Sequence, residues 1–347
     1  MTDEIVLQKL CDAAGVSGCE DEVRRIIAEA ARPYADEMTV DAMGNLIVLQ
    51  RGKSAARRVM VCAHMDEVGL IVTQVTDDGY LRFDTVGGID ARVLVGKRVS
   101  VGKERVPGVI ALKAIHLQKK QERGKSVPVS ALYIDIGASD RAQAQALVQL
   151  GDTVVFDTAF GPFGNDCYKA KALDDRVGCA ALLQLLRHFC SQRTGCDLYA
   201  VFTVQEEVGC RGAAAAARRV QPEAALVLEA TTCSDVSGVP QHLEVTRLGG
   251  GAAVSILDRA SYSDVVLTRR LVAACADAGV PVQYKRTTMG GNDAGAIQLS
   301  LSGVRTAAVS VPCRYLHSPV GVVSRRDVAA QLDAARLFMQ GWEEWIG

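Results

Sequence analysis

The stretch Val61–Leu70, VCAHMDEVGL, runs an apolar segment into three polar residues, His64, Asp66 and Glu67. Val59–Ala63 reads as a short buried strand, bounded upstream by the polar turn RGKSAARR. A histidine and two carboxylates where a strand leaves a core have two readings: they cap the strand, or they begin a site. Upstream, Asp21–Arg32 carries a helical apolar pattern that stops before Pro33, and Asn45–Gln50 reads as a strand. Downstream the character changes. From Gly69 to about Asp157 the chain is a series of short β runs, GLIVTQV, YLRFDTV, RVLVGKRVSV, PGVIALKAI and ALYIDIG, with one helix expected at Arg141–Leu150. The charged run KAIHLQKKQERGKSVP reads as a loop. After Gly161 helix and strand alternate again. Helices are expected at Asp174–Cys190, Gly212–Arg219, Ser263–Ala278 and Ser324–Gly341, and strands at Asp197–Thr203, Ala224–Glu229, Val282–Lys285 and Val304–Val309. The fold class predicted is α/β: a mixed sheet with helices on both faces, built from 1–68 and 161–347, interrupted by a small β-rich, barrel-like domain at 69–160.

The 347 residues are 49% hydrophobic, enough for a sizeable core. Lys and Arg total 39 against 40 Asp and Glu, so the formal charge of −1 gives no electrostatic case for a nucleic-acid partner. No apolar stretch reaches the roughly 20 residues that span a bilayer. The start, MTDEIVLQKLCDAAG, has no basic leader before an apolar run, so no signal peptide is expected. The eleven cysteines are odd in number, contain no C-x-x-C pair, and lie partly in apolar contexts. A reduced, cytoplasmic protein is expected.

Polar groups recur at the ends of the expected strands. His64 and Asp66 end one; Glu206–Glu207 follow DLYAVFTV; Glu229 ends AALVLE; His317 follows the strand near Val304–Val309. Asp174–Asp175 stand where a helix begins. Each has a plain alternative: a strand cap, a helix cap that favours negative charge, a solvated pair. Glu229 is harder to dismiss, because an unpaired buried carboxylate is costly. Ligands of open α/β sheets bind beyond the carboxyl ends of strands. Imidazoles and carboxylates meeting there suit two divalent ions about 4 Å apart, with one carboxylate bridging and another free to take a proton from water. Glu206 and Glu207 could divide the tasks of base and ligand. Asp66 could accept a hydrogen bond from the second ring nitrogen of His64 and fix its tautomer.

Eight stretches in order, AHMDEVGL, VGGIDARVLVGKRV, YIDIGA, KALDDRVGC, TVQEEVGCRGA, LVLEATT, GGNDAGAI and YLHSPVGV, cover nearly the whole chain. Together they resemble the dinuclear metallo-aminopeptidases typified by glutamyl aminopeptidase, deblocking aminopeptidase and the tetrahedral aminopeptidases. The resemblance implies an α/β/α metallopeptidase domain and two divalent ions per subunit, zinc, cobalt or manganese. It makes His64 and Glu229 ligands of the first metal, Asp174 the bridge, and Glu207 and His317 ligands of the second. It makes Glu206 the general base and Asp66 the orienter of His64, with Asp175 in support. Glu229 stands where the family often has aspartate; its extra methylene is expected to preserve binding and to bear on metal preference.

The same resemblance implies release of N-terminal residues from peptide substrates. Gly290, Gly291, Asn292 and Asp293 are then candidates to meet the substrate, Asp293 with the alternative of capping the next helix. The inserted domain is expected to drive homo-oligomerisation, in relatives often a tetrahedral dodecamer built from dimers. His116 matches a histidine that reaches a neighbouring subunit's site in some relatives, with a solvated loop residue as the alternative. Arg211 and Arg314 stand beside motifs without an assigned role. An N-acyl amino acid deacylase and, more remotely, a glycoside hydrolase of endoglucanase type are the competing activities.

Overall fold

The computed structural model describes residues 3–53, 57–117 and 126–346. Four parallel strands form its centre: β3 (Arg58–His64), β12 (Asp197–Thr203), β13 (Ala224–Thr232) and β16 (Arg305–Arg314), in the order β12-β3-β13-β16. Both faces of these strands are covered. Val59, Val61 and Ala63 of β3 point into one core, Met60 and Cys62 into the other, as the period of two demands. The first core is closed by α1 (Asp3–Asp12), α2 (Asp21–Ala31), α4 (Leu173–Ser191), α6 (Val265–Asp277) and α8 (Arg325–Ile346). The second is closed by α5 (Arg211–Val220) and α7 (Asp293–Gln298). This is the mixed α/β sheet expected from the alternation. None of the helices among the described residues is long and apolar enough to cross a membrane.

The sheet extends beyond its parallel centre through five further strands, four of which sequence patterning missed. β1 (Glu37–Val40) and β2 (Leu46–Gln50) lie outside β12, while β17 (Gly321–Ser324), β11 (Cys167–Ala170) and β10 (Gly161–Phe163) lie outside β16. Of these only β2 was expected; β1 and β10 are edge strands with half-exposed or exposed residues and carry little apolar signal. β2 and β3 are adjacent in sequence, yet β12 lies between them, antiparallel to β2 and parallel to β3. β14 (Ala252–Val254) and β15 (Val282–Tyr284) branch from β16.

Two ends differ from expectation for visible reasons. The strand predicted to end at Val309 runs on to Arg314 through Pro312. On one side β16 pairs with β14 at Val309 and Ser310 and with β17 at Cys313 and Arg314, so the proline's missing N–H falls between two partners. The closing helix passes Gly341, where a stop was expected. The Trp345 ring packs where a side chain of residue 341 would sit, and Trp342 is fully buried one residue on.

The inserted domain is a closed barrel with strand order β4-β5-β8-β7-β6-β9. Its strands are β4 (Gly69–Val75), β5 (Leu81–Val86), β6 (Arg98–Val101), β7 (Val106–Ala111), β8 (Tyr133–Asp135) and β9 (Thr153–Phe156). It has its own core, including Leu70, Leu81, Phe83, Ile110 and Ile134. The run RVLVGKRVSV is only partly strand. Asp90 accepts from Arg92 N and starts a 3-10 turn at Ala91–Val93, and Gly96 takes a positive φ before β6 begins. The helix α3 (Arg141–Leu147) is shorter than expected, because Val148 is already extended. The loop expected after Ala111 lies partly outside the described residues.

Candidate metal centre

The parallel centre of the sheet brings the carboxyl ends of β3, β12, β13 and β16 to one edge. His64 is the last residue of β3 and lies opposite Thr203, the last of β12. Glu206 and Glu207 follow β12 by three and four residues, and Glu229 lies in β13 opposite Ser310 of β16. Asp174 stands at the head of α4, joined to Asp175 by a cis peptide. His317 lies three residues beyond β16, with φ of 54°.

Five of these side chains meet. The Nε2 of His64 is 3.2 Å from Asp174 Oδ1 and 3.7 Å from Glu229 Oε2. The Nε2 of His317 is 3.5 Å from Asp174 Oδ2 and 3.2 Å from Glu207 Oε2. The two oxygens of Asp174 thus face two different imidazoles, each with a second carboxylate beside it. His64 is 1% exposed and His317 36%, so one half of the cluster is deep and the other opens outward. Ligand atoms of His64, Asp174 and Glu207 fall within 4.8 Å of one another, as do those of His64, Asp175 and Glu229.

The charges are unbalanced. Burial raises Glu206 and Glu229 well above the usual carboxylate range, and neighbouring carboxylates add to it while His64 opposes it. Glu207 is pushed up to about 7 by burial and by Asp174. Burial opposes protonation of His317, but Asp174 and Glu207 prevail and raise it to about 9. His64 moves well upward by the same competition, with Glu229 and Asp174 prevailing over burial. Asp174 is held below its ordinary range by both imidazoles, against the opposing effect of burial. Glu229 Oε1 is buried and has no hydrogen-bond partner among the described residues. An excess of buried carboxylate, two imidazoles and an orphaned oxygen make a donor set that fits divalent cations.

Asp66 does more than sequence suggested. His64 Nδ1 is 3.1 Å from the Asp66 carbonyl oxygen and 3.4 Å from its Oδ1. The same carboxylate accepts from Glu206 N at 3.0 Å, Glu207 N at 3.1 Å and Ser17 Oγ at 2.6 Å. The carboxylate therefore fixes the backbone of the 206–207 turn, while the hydrogen bond of the His64 ring goes to the Asp66 carbonyl rather than to the carboxylate expected from sequence. Asp175 Oδ1 accepts from Gly178 N at 3.0 Å, the bond of a helix N-cap. A Cβ at position 178 would lie 2.3–2.7 Å from that carboxylate, which is why glycine stands there.

Glu67, unassigned from sequence, turns away from the cluster. Its carboxylate accepts from Lys171 Nζ at 2.8 and 2.9 Å, Gly15 N at 3.1 Å and Arg176 Nη2 at 3.2 Å. Lys171 also donates to the Ala13 carbonyl and Arg176 to that of Leu10. The residues before α2 are thereby tied to β3 and to the segment carrying Asp174.

The glycine-rich loop divides. Gly290 and Gly291 line a cleft of about 370 Å³ together with Asp174, Glu206, Glu207, Glu229, Lys285 and His317. Asn292 is buried; its Oδ1 accepts from Ala294 N and caps α7, and its Nδ2 reaches Asp258 at 3.4 Å. The cap is therefore Asn292 and not Asp293. Asp293 is also buried, accepting from Thr203 Oγ1 at 2.6 Å, with burial raising its carboxyl to about 6. Neither Asn292 nor Asp293 lines the cleft. His116 is exposed in a 3-10 turn of the barrel domain and is not brought to the cleft within this chain. Arg314 is committed to Asp235, with Nε at 2.7 Å and Nη2 at 2.9 Å.

Two contributors were not anticipated. Cys210 Sγ donates to Glu206 Oε1 at 3.4 Å. The barrel domain also reaches the site: a Cβ at Gly87 would sit 3.4 Å from Glu207 Cβ, and one at Gly88 3.5 Å from His317 Nδ1. The pair of glycines in VGGID was the available signal.

The family profile described as M42 glutamyl aminopeptidase matches residues 44–333. A putative aminopeptidase of Acetivibrio thermocellus is 36% identical over 93% of this chain and 94% of its own. Among solved structures, a TET aminopeptidase from the marine sediment archaeon Thaumarchaeota archaeon SCGC AB-539-E09 superposes with a TM-score of 0.95 at 34% identity, covering 98% of this chain and 96% of that one. The Pyrococcus horikoshii TET1 peptidase, described as assembling into a tetrahedron or a large octahedral shell, gives 0.87 at 32% identity, covering 98% and 100%.

Proposed function

The chain belongs to the M42 glutamyl aminopeptidase family, and from that premise we propose a metal-dependent aminopeptidase that hydrolyses N-terminal residues from peptides with Glu206 as general base. The observation that carries this reading is Asp174, whose two oxygens face the imidazoles of His64 and His317. His64, Asp174 and Glu229 would hold one divalent ion; Glu207, His317 and Asp174 would hold a second. Zinc, cobalt and manganese all suit these nitrogen and oxygen donors. Such ions acidify water and polarise a carbonyl.

The chain's own residues do the rest. Glu206 lines the cleft but makes none of the short contacts to the imidazoles that Asp174, Glu207 and Glu229 make. It is free to take a proton from the attacking water and return it to the leaving amine. Its basicity is supported by burial and by its carboxylate neighbours. Asp66 holds Glu206 in place through its backbone N–H. Gly290 and Gly291 let a peptide backbone pass close to the ligands. A homo-oligomer is part of the proposal, a tetrahedral dodecamer built from dimers, with the barrel at 69–160 as the oligomerisation domain, working in the cytoplasm. Support for the assembly is the tetrahedral and octahedral shells described for the TET1 relative.

The test is a dipeptide panel assayed on chelator-stripped protein after adding back each metal. Activity should be lost on stripping and return with about two equivalents. Full activity without metal would refute the mechanism. Preferential cleavage of N-acyl amino acids would favour a deacylase, and hydrolysis of soluble cellulose an endoglucanase.

A further inference from the structure

Beside the cluster lies a second group of donors that the reaction does not employ as a set. One ligand atom each from Glu206, Cys210 and Asp293 lie within 4.8 Å of one another. Cys210 Sγ is 3.4 Å from Glu206 Oε1. Asp293 forms the floor and is 1% exposed; its Oδ2 is taken by Thr203, while Oδ1 is buried with no hydrogen-bond partner among the described residues. Glu206 and Cys210 are half-exposed and Gly209 beside them is exposed, so the group is reachable from solvent. Burial and the Glu206 and Asp293 carboxylates hold the Cys210 thiol well above its ordinary range, so it keeps its proton until a cation takes its place.

Size and softness decide what would fit. Donor atoms around one tetrahedral zinc-sized ion lie roughly 3.4–3.7 Å apart. Cys210 Sγ and Glu206 Oε1, 3.4 Å apart, already stand at that separation, and the Asp293 oxygen, within 4.8 Å of both, would have to draw in by up to about 1 Å. A thiolate with two carboxylates favours zinc or cadmium over manganese or magnesium. We propose that Glu206, Cys210 and Asp293 form a third, inhibitory cation site for a thiophilic divalent ion, which occupies Glu206 and removes it from proton transfer. Binding releases the Cys210 thiol proton to solvent and forms one metal–sulfur bond, with no change of oxidation state. The inhibitory consequence rests on Glu206 being the general base; the site itself does not.

The test uses the enzyme loaded with manganese, which competes poorly for sulfur, and titrates it with cadmium. Wild type should develop a thiolate-to-cadmium charge-transfer band in the ultraviolet while its rate falls in parallel. In Cys210→Ser and Cys210→Ala that increment of the band should vanish. The cadmium inhibition constant, measured against each variant's own uninhibited rate, should rise at least tenfold. Using both variants guards against one folding poorly. Bands and inhibition constants unchanged in both would overturn the third site, whatever the base is. A Cys210-dependent band that saturates without slowing turnover would overturn the inhibitory role, whereas the role of Glu206 as base stands or falls separately on the turnover of Glu206→Gln.

Discussion

Glu67→Gln should destabilise the protein far more than a typical substitution. Glu67 is 2% exposed, and its partners Lys171 and Arg176 are 3% and 0% exposed. The carboxylate accepts four hydrogen bonds, three of them from these two cations. Glutamine keeps the shape but replaces one oxygen with an NH2 group, which would face the Lys171 ammonium donor to donor. Two buried cations then lose their counter-charge. Breaking such a pair costs about 3–5 kcal/mol, against ~0–1 kcal/mol for an exposed one. Urea unfolding of the metal-free protein at one fixed concentration would read it as a lower midpoint with the slope unchanged. Adding Lys171→Met to the variant should recover part of the loss, because it removes one stranded charge. Metal retention against a chelator should fall as well, since the network joins the end of β3, which carries His64, to the segment leading into Asp174. A loss under about 1 kcal/mol would refute the reasoning, because it would mean that water already screens the three groups.

Glu206→Gln should retain its metals and lose roughly 10²–10⁴-fold in kcat, checked by elemental analysis alongside dipeptide hydrolysis; near-normal turnover would contradict its role. Metal uptake by stripped protein should tighten as pH rises, because His317, raised to about 9, and Glu207, raised to about 7, must shed protons to bind. Calorimetry in two buffers of different ionisation enthalpy would reveal the proton release. The same two groups set a stability trend for the metal-free protein. Their folded values exceed the ordinary 6.5 and 4.5, so their stabilisation is complete below those values and is lost as pH rises through about 7 for Glu207 and about 9 for His317. Thermal melts of stripped protein across that range should fall accordingly. Lys285 is the lysine that lines the cleft, so Lys285→Ala should lower kcat/KM for peptides beginning with Asp or Glu relative to neutral ones by roughly fivefold, the ~1 kcal/mol of a solvated pair.

The centre of the fold was legible because its strands are buried on both faces. Val59–Ala63 and Ala224–Glu229 read as unbroken apolar runs, and the residues that end them had to be explained by something other than packing. The same logic located His64 and Glu229. Edge strands such as Gly161–Phe163 were invisible, since half-exposed residues carry neither an apolar run nor a clear alternation. The loop residues were harder still. Asn292 and Asp293 look alike in GGNDAGAI, and only the fold shows that Asn292 caps a helix while Asp293 is held by a threonine on β12. Glu67 sits one residue from Asp66 and looks equally eligible for the cluster. Its commitment to Lys171 and Arg176 depends on residues more than a hundred positions away, which spacing alone does not reveal.

The position of the inserted domain follows from the same geometry. β4 begins five residues after His64, so the barrel leaves the sheet at the edge where the histidines and carboxylates gather. Its Val86–Gly88 turn then comes back onto the cluster, with Gly87 against Glu207 and Gly88 against His317. Gly87 has φ of 82°, and a Cβ there would also press into Val68 at 2.8 Å. His317 is the open corner of the site, with Glu207 buried beside it, while His64 and Glu229 are enclosed by the sheet itself. The barrel therefore supplies the wall that the sheet lacks. Any displacement of the barrel would bear first on the His317 and Glu207 side.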